Sequence, residues 1–211
     1  MRNIRQHVNP LGAVYLEARA QAITPPPSCA RVEVELGCAD AKFSFDLAER
    51  HPTWFVVGLE IREPLVERNR KWARRRGLGN LEFGYSNINV DLDRVFAPGS
   101  VDRFHVLFPD PWFKARHHKR RVVEPGLLAV VARQLRSGGE LHFASDVVEV
   151  ALAAMEELEH DDALALGFEN LAGPWCFTRE NPCDASSRRE DTTLARGQRV
   201  WRMRYRMRTS A

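Results

Sequence analysis

An aspartate held between two prolines and followed by a run of cations is the stretch of this sequence best suited to do chemistry. In FPDPWFKARHHKRR (108–121), Pro111 pushes Asp110 toward an extended conformation, and each proline fixes its own φ. Cations beside an aromatic ring suit contacts to RNA phosphates and stacking on RNA bases, although such a run can also be a solvated loop. The cationic run consists of Lys114, Arg116, His117, His118, Lys119, Arg120 and Arg121.

Acids at the ends of predicted strands form a second group of candidates. The strands are RVEVELG (31–37), WFVVGLEI (54–61), VDRFHVLF (101–108) and GGELHFAS (138–145). The acids that close or follow them are Glu35, Glu60, Asp110 and Asp146. Ligands of open parallel sheets bind outside the carboxyl ends of the strands, so these acids are expected to share one site. The alternative for Asp146 is that it caps a helix beginning near Val147.

The first two of these strand ends favour a nucleoside cofactor without phosphate. Glu35 and Gly37 close the first strand, and Glu60 follows at the spacing of an acid that binds ribose hydroxyls. The turn GCADA (37–41) lacks the GxGxxG pattern that cradles a pyrophosphate, which disfavours a nicotinamide dinucleotide. S-adenosylmethionine (SAM) carries no phosphate, and its cationic amino acid end suits a nearby carboxylate. Two charged residues that merely end strands remain the alternative.

The elements that must position these acids alternate between strand and helix from Arg31 onward. Such alternation is typical of a doubly wound α/β domain with a mostly parallel sheet. Further predicted elements are helices at 40–50, 64–76, 126–135 and 147–158 and a strand at 81–85. The segment VWRMRYRMR (200–208) alternates with period two and predicts a last strand with an arginine-lined face, so the domain would have a basic edge.

Residues 1–30 are predicted to be a lead-in, flexible or covering the domain, and residues 31–211 form the domain itself. Within the lead-in, a short helix is expected at 13–23, ended by the triple proline 25–27.

Composition restricts the class of protein. A chain of 211 residues with 44% hydrophobic content predicts one domain, and a net charge of +3 means that anionic partners must be met by local clusters. The four cysteines are scattered, which predicts reduced thiols and no structural zinc; Cys176 and Cys183 joining a histidine is a remote alternative. No stretch reaches the roughly 20 apolar residues of a membrane helix, and the first residues lack a signal peptide, so a cytoplasmic protein without bound metal is expected.

Several of these motifs together resemble those of the bacterial tRNA (guanine-N7)-methyltransferases. The motifs are the stretch 108–121, VELG (34–37), GLEI (58–61) and GQRVW (197–201), and the resemblance covers residues 31–208. It implies a Rossmann-like, SAM-dependent fold with a seven-stranded, mostly parallel sheet whose last strand is antiparallel. It also implies that tRNA is the partner and that the guanine at position 46 of the variable loop is the target.

The resemblance assigns roles to individual residues, with Asp110 as the catalytic acid. The implied SAM contacts are Glu35, Gly37, Glu60, Asn87 and Asp110. The implied contacts to the target nucleotide are Lys114, Asp146 and the family's Thr-x-x-Glu element, which falls here on Ser187, Arg188, Arg189 and Glu190. The implied tRNA-binding segment is Arg116, His117, His118, Lys119, Arg120 and Arg121.

The sequence departs from the family's Gly-x-Gly-x-Gly turn after the first strand, because residues 38–41 contain no glycine. Ala39 and Ala41 are small, and Asp40 is expected to be the N-cap of the next helix. A non-catalytic tRNA-binding protein with a degenerate cofactor site, and a methyltransferase of the same fold with another substrate, are the alternative functions. The expected assembly is a monomer or a homodimer.

Overall fold

A seven-stranded sheet with helices on both faces forms the domain. The computed structural model describes residues 8–111 and 122–209. The strands are β1 (Arg31–Leu36), β2 (Trp54–Glu60), β3 (Leu81–Tyr85), β4 (Val101–Leu107), β5 (Leu135–Ser145), β6 (Phe168–Asn170) and β7 (Trp201–Met207). Their order is β3-β2-β1-β4-β5-β7-β6; the first five are parallel, and β7 is antiparallel to both of its neighbours. The predicted fold class is therefore confirmed.

The helices follow the predicted alternation. They are α1 (Lys42–Arg50), α2 (Glu63–Arg76), α3 (Ile88–Asp91), α4 (Pro125–Gln134), α5 (Val148–Glu159), α6 (Asp161–Ala165) and α7 (Arg188–Ala195). In α2, Pro64 lies in the first turn and Gly77 ends the helix in a left-handed conformation, as predicted from the position of each residue. No helix within the described residues is both long enough and apolar enough to cross a membrane.

The two faces of the sheet bury different kinds of side chain. One face carries the apolar residues of alternate sheet positions, such as Val34, Phe104 and Phe143, packed against α4 and α5. On the other face, α1 and α2 pack a smaller apolar cluster against β2 and β3. Where this second face continues over β1, β4, β5 and β7, the inward side chains are polar: they include Glu33, Arg103, His105, Glu140, His142 and Arg202, all buried.

The arginine-lined face of β7 continues this polar layer at its buried end, and β7 is an inner strand, so the prediction of a basic edge was wrong. Arg202 pairs with Glu190 at 2.5 Å and is 8% exposed, and Arg204 pairs with Glu140 at 2.9 Å. The period-two pattern correctly predicted that the arginines share one face of β7. The carboxylates that neutralise it come from β5 and α7, and the sheet edge is the short strand β6.

The two histidines of the polar layer are buried and hydrogen bonded. His105 Nε2 lies 2.5 Å from Glu33 Oε2, and the Nδ1 atoms of His105 and His142 are 3.1 Å apart. Burial lowers the pKa of both imidazoles, and for His142 the positive charges nearby lower it further. Ligating atoms of Cys183 and the two histidines lie within 4.8 Å of one another, whereas Cys176 is exposed elsewhere. Arg103 donates to the Cys183 sulfur at 3.4 Å.

The helix predicted at 13–23 is wrong: only Ala13–Tyr15 forms a short 3-10 helix. Beyond it, the backbone N–H groups of Arg19 and Ala20 both donate to Asp91 Oδ2 at 2.9 Å. These two N–H groups are bonded to the domain and not to carbonyls one turn back, as a helix would require.

The absence of a side chain at Gly58 is required by the packing between β1 and β3. A Cβ there would lie 2.6 Å from the Phe83 ring and 2.9 Å from Cys38 Sγ, whereas a Cβ at the exposed turn residue Gly79 would meet nothing within 4 Å. Gly58→Ala is expected to lower the free energy of unfolding by roughly 1–3 kcal/mol because the core is overpacked, and Gly79→Ala by much less. Urea denaturation measures both. Equal midpoints for the two variants would contradict this account of β2.

Candidate active site

Acids from separate strands meet at one edge of the sheet because β1, β2 and β4 run parallel. Register pairs Glu35 with both Gly58 of β2 and His105 of β4, so the carboxyl ends of the three strands lie side by side. Glu35 and Glu60 close β1 and β2, and Asp110 follows β4. The predicted convergence of strand-end acids is thus what the topology produces.

Glu35 is a buried acid with an unusual protonation equilibrium. Its side chain accepts a hydrogen bond from Ser44 Oγ at 2.5 Å. Burial raises the pKa of Glu35 to about 8; the Ser44 bond opposes this rise, and the charges of Asp40 and Glu60 add to it. Near neutral pH the carboxyl is therefore mostly protonated, and a cation placed beside it would favour the ionised form.

The turn after β1 keeps a glycine-type backbone although it contains only one glycine. Gly37, Ala39 and Ala41 all have left-handed φ angles, of 80°, 47° and 59°. The turn is held at Ala39, whose N–H donates to Glu60 Oε2 at 2.9 Å and whose carbonyl accepts from Asn69 Nδ2 at 2.9 Å. These hydrogen bonds hold Ala39 in a left-handed conformation that costs roughly 1–2 kcal/mol. The N–H of Ala41, the other left-handed alanine, donates to the Cys38 carbonyl at 2.6 Å.

Asp40 is not the N-cap that the sequence predicted. Helix α1 begins at Lys42, its N-cap residue is Ala41, and no side chain caps it. Asp40 Oδ1 receives only a long bond of 3.4 Å from the Lys42 N–H, while Oδ2 accepts from Arg188 Nε at 2.5 Å. The left-handed Ala41 places Asp40 one residue too early to cap the helix.

Arg62 links two of the acids and was missed by the sequence reasoning. Its Nε and Nη2 donate to the two oxygens of Glu60, at 2.8 and 2.9 Å, and its backbone N–H donates at 3.0 Å. Burial lowers the pKa of the guanidinium, but the bonds to Glu60 and the charges of Glu60 and Asp110 outweigh it and raise that pKa. Its position two residues after a strand-end acid was the available signal.

Asn87 follows β3 and Asp110 follows β4, at the same edge of the sheet as Glu35 and Glu60. Asn87 is buried, and its side-chain amide donates to the carbonyls of Pro10 and Tyr15 at 2.9 and 3.0 Å, so the lead-in lies against it. Asp110 follows Phe108, which has a left-handed φ of 52° and donates its N–H to Ala144 at 2.7 Å. Lys114 and the predicted tRNA-binding residues 116–121 lie outside the described residues.

Helix α7 brings the Thr-x-x-Glu counterpart to the same edge. Ser187 is its N-cap and accepts from the Glu190 N–H at 3.1 Å. Ser187 and Glu190 have the spacing of a capping box, a sequence signal that predicts a helix start here and was not used. Glu190 itself is buried, and it accepts from Arg202 at 2.5 Å and from Asn181 at 3.2 Å.

Both arginines of α7's first turn reach acids at strand ends. Arg188 pairs with Asp40 after β1, and Arg189 pairs with Asp146 after β5 at 2.7 Å. The alternative role of Asp146 as the cap of α5 is wrong, since Val147 is the N-cap and no side chain caps that helix. Asp146 instead accepts from Arg189 and, at 3.4 Å, from Thr193.

Comparison with known proteins identifies the family. Residues 30–203 match a family model described as "Putative methyltransferase". A tRNA (guanine-N(7)-)-methyltransferase of Synechococcus sp. (strain JA-3-3Ab) is 45% identical over 166 residues, which cover 74% of this chain and 68% of the relative. The enzyme of that name from Trichormus variabilis is 36% identical over 94% of this chain and 93% of its own. The chain belongs to the tRNA (guanine-N7)-methyltransferase family.

Solved structures similar to this family member agree on the fold. A variant of the 16S rRNA (adenine(1408)-N(1))-methyltransferase from Catenulisporales acidiphilia, solved with its cosubstrate SAM, superposes with a TM-score of 0.61. It is 21% identical and covers 86% of this chain and 87% of its own. The family named by the sequence resemblance is confirmed by the relatives, and the methyltransferase fold by this superposition.

Backbone strain in the turn after β1 predicts opposite effects for two substitutions. Ala39→Gly is expected to raise the free energy of unfolding by roughly 0.5–1 kcal/mol, because relief of the left-handed strain exceeds the added flexibility of the unfolded chain. Gly37→Ala is expected to lower it by about 1 kcal/mol through the backbone alone, since a Cβ there meets nothing within 4 Å. Urea denaturation measures both. Shifts of the same sign would show that strain does not govern this turn.

Proposed function

We propose that this protein transfers the methyl group of SAM to N7 of a guanine in tRNA, at position 46 of the variable loop. The observation that carries the proposal is the meeting of Glu35, Glu60 and Asp110 at one sheet edge, closed on its far side by α7. The names of the relatives supply the reaction and the substrate class. Position 46 rests on the family resemblance.

The residues after β1 and β2 fit SAM. Two buried carboxylates, Glu35 and Glu60, flank the turn 37–41, and Glu60 is bonded to that turn through Ala39. A carboxylate such as Glu35 suits the cationic amino acid end of SAM, and one such as Glu60 suits the ribose hydroxyls. Four hydrogen bonds, three from Arg62 and one from the Ala39 N–H, already fill the acceptor sites of Glu60, so ribose binding there requires at least one of them to be released.

SAM, when bound, supplies an electrophilic methyl group, and the protein residues position the base and stabilise its developing charge. Guanine N7 attacks with a neutral lone pair, so no base is needed to remove a proton from it. Alignment of two reactants can account for roughly 7–11 kcal/mol of a barrier. Asp110 accepts from guanine N1–H and the exocyclic amine, and this attraction grows as the purine becomes cationic.

The remaining assignments concern the tRNA. Lys114, Asp146 and the residues of the Ser187–Glu190 element contact the target nucleotide. The tRNA backbone is bound by Arg116, His117, His118, Lys119, Arg120 and Arg121, and this contribution should fall with added salt. Because methylation of a neutral nitrogen needs no Lewis acid, we propose that the reaction uses no metal. The protein acts in the cytoplasm as a monomer or homodimer.

Asp110→Ala tests the catalytic assignment. We expect methyl transfer to fall by about 10²-fold or more, because the carboxylate that stabilises the transition state is lost, while tRNA affinity changes by less than about twofold. The assay incubates the protein with labelled SAM and unmodified tRNA and maps 7-methylguanine. The matched control is Asp93→Ala, which removes an exposed acid from the short 3-10 helix Leu92–Arg94.

The assay also separates the alternatives. Methyl label at another nucleotide would assign a different substrate site, and absence of SAM binding by calorimetry would favour a non-catalytic binding protein. Turnover in Asp110→Ala equal to that of the control would remove Asp110 from the mechanism.

Glu35 predicts that SAM binding releases a proton. With a pKa of about 8, Glu35 is largely protonated at pH about 6.5, and a bound cation favours its ionised form. Affinity should therefore fall as pH drops below 8, by at most about tenfold per unit, and Glu35→Gln should bind weakly without this dependence. Calorimetry in two buffers of different ionisation enthalpy counts the protons. Proton release of the same size in Glu35→Gln would contradict the assignment.

A further inference from the structure

A packed set of two aromatic rings and a guanidinium group lies at the same sheet edge as the candidate site. Trp201 begins β7 and is in antiparallel register with Ser145, the last residue of β5. Registered partners in such a pair have Cα atoms about 4.5–5.5 Å apart. Trp201 is therefore next to the backbone that leads into Asp146, and the segment that joins α7 to β7 passes this edge.

The set consists of two aromatic rings, tilted by 59° to each other, and an arginine over the Trp201 ring. The Phe177 and Trp201 rings have centroids 5.0 Å apart, and the guanidinium carbon of Arg199 lies 3.9 Å from the centroid of the Trp201 ring. Trp201 is half-buried, whereas Arg199 is exposed. The Trp201 ring thus lies beneath a cation that is exposed to solvent.

Charge pairing distinguishes Arg199 from three of the arginines around it. Arg188, Arg189 and Arg202 each form an ion pair with a carboxylate. Arg199 forms no ion pair with any carboxylate of residues 8–111 and 122–209, and its contact is with the Trp201 ring. Its positive charge is therefore not neutralised within this part of the protein.

We propose that Arg199, backed by Trp201 and Phe177, is a stacking platform for an unpaired nucleotide of the tRNA that flanks the target guanine. Unpaired RNA bases stack on guanidinium planes as well as on aromatic rings, and an arginine in such a position also attracts the adjacent phosphate. The target guanine must leave its neighbours to reach Asp110, so its flanking bases lose a stacking partner. The platform replaces that partner, and it rests on the proposed function.

Two substitutions at Arg199 separate stacking from charge. Arg199→Ala removes both, and Arg199→Lys keeps the charge without the planar group. We expect each to weaken tRNA binding about tenfold, with the salt dependence of Arg199→Lys unchanged from wild type. Arg196→Ala is the matched control, since Arg196 is an exposed arginine of the same connecting segment. It should change tRNA affinity by less than about threefold.

A thermodynamic cycle identifies the nucleotide. Two tRNAs are prepared with an abasic site either 5′ or 3′ of the target guanine, and binding of each is measured to wild type and to Arg199→Ala. One of the two abasic tRNAs should bind wild type about tenfold more weakly than intact tRNA binds wild type. The same abasic tRNA and intact tRNA should bind Arg199→Ala with nearly equal affinity. If each abasic site weakens tRNA binding by the same factor in wild type and in Arg199→Ala, the platform is overturned. Wild-type tRNA affinity in Arg199→Lys would also overturn it.

Failure of this inference is distinguishable from failure of the proposed function. The cycle measures binding alone, whereas the proposed function is tested by 7-methylguanine in wild type. If wild type methylates the tRNA but the abasic sites show no coupling to the Arg199 substitution, only the platform is overturned. If the coupling is found without methylation, only the proposed reaction is overturned. SAM affinity, measured by calorimetry, should be equal in wild type and Arg199→Ala; a loss there would show that the substitution disturbs the fold and would contradict the assigned role.

Discussion

The buried ion pair between Glu190 and Arg202 holds α7, with its two arginines, at the candidate site. Their side chains are only 3% and 8% exposed, so removing either partner would leave an uncompensated buried charge, at a cost of about 3–5 kcal/mol. The pair fixes α7 against β7, and with it the direction of Arg188 and Arg189. These two arginines then reach the acids that follow β1 and β5. One interaction inside the sheet layer thereby positions the exposed first turn of α7 at the sheet edge of the candidate site.

Periodicity and turn chemistry predicted most of the fold because these signals are local. The uninterrupted apolar run of β2, together with Pro64 and Gly77 at the ends of α2, depends on nearest neighbours in sequence and survives in the structure. The predicted helix at 13–23 failed because Asp91, distant in sequence, takes its backbone donors. The capping box at Ser187 shows that α7 was within reach of the same reasoning.

The sequence predicted where the acids of the candidate site lie, but not which side chains pair with them. Parallel strands place strand-end acids at one edge whatever their identity, so Glu35, Glu60 and Asp110 could be grouped from sequence alone. The pairing of Asp40 with Arg188 joins residues from opposite ends of the domain, and no local pattern encodes it. The same holds for β7, where alternation identified the arginine face but Glu140 and Glu190 decide that it is neutralised.

The turn after β1 has a left-handed backbone at positions where it has alanine and not glycine. Left-handed backbone is normally left to glycine because a Cβ is penalised there, yet Ala39 and Ala41 both adopt it. The hydrogen bond that Ala39 donates to Glu60 and the one that it accepts from Asn69 compensate for this penalty at Ala39. Glu60 therefore holds the turn with the same oxygens that, in the proposed function, bind the ribose. Because Arg62 shares that carboxylate, the bond that yields to a ligand can be one to Arg62, and the turn keeps its support while the ligand binds.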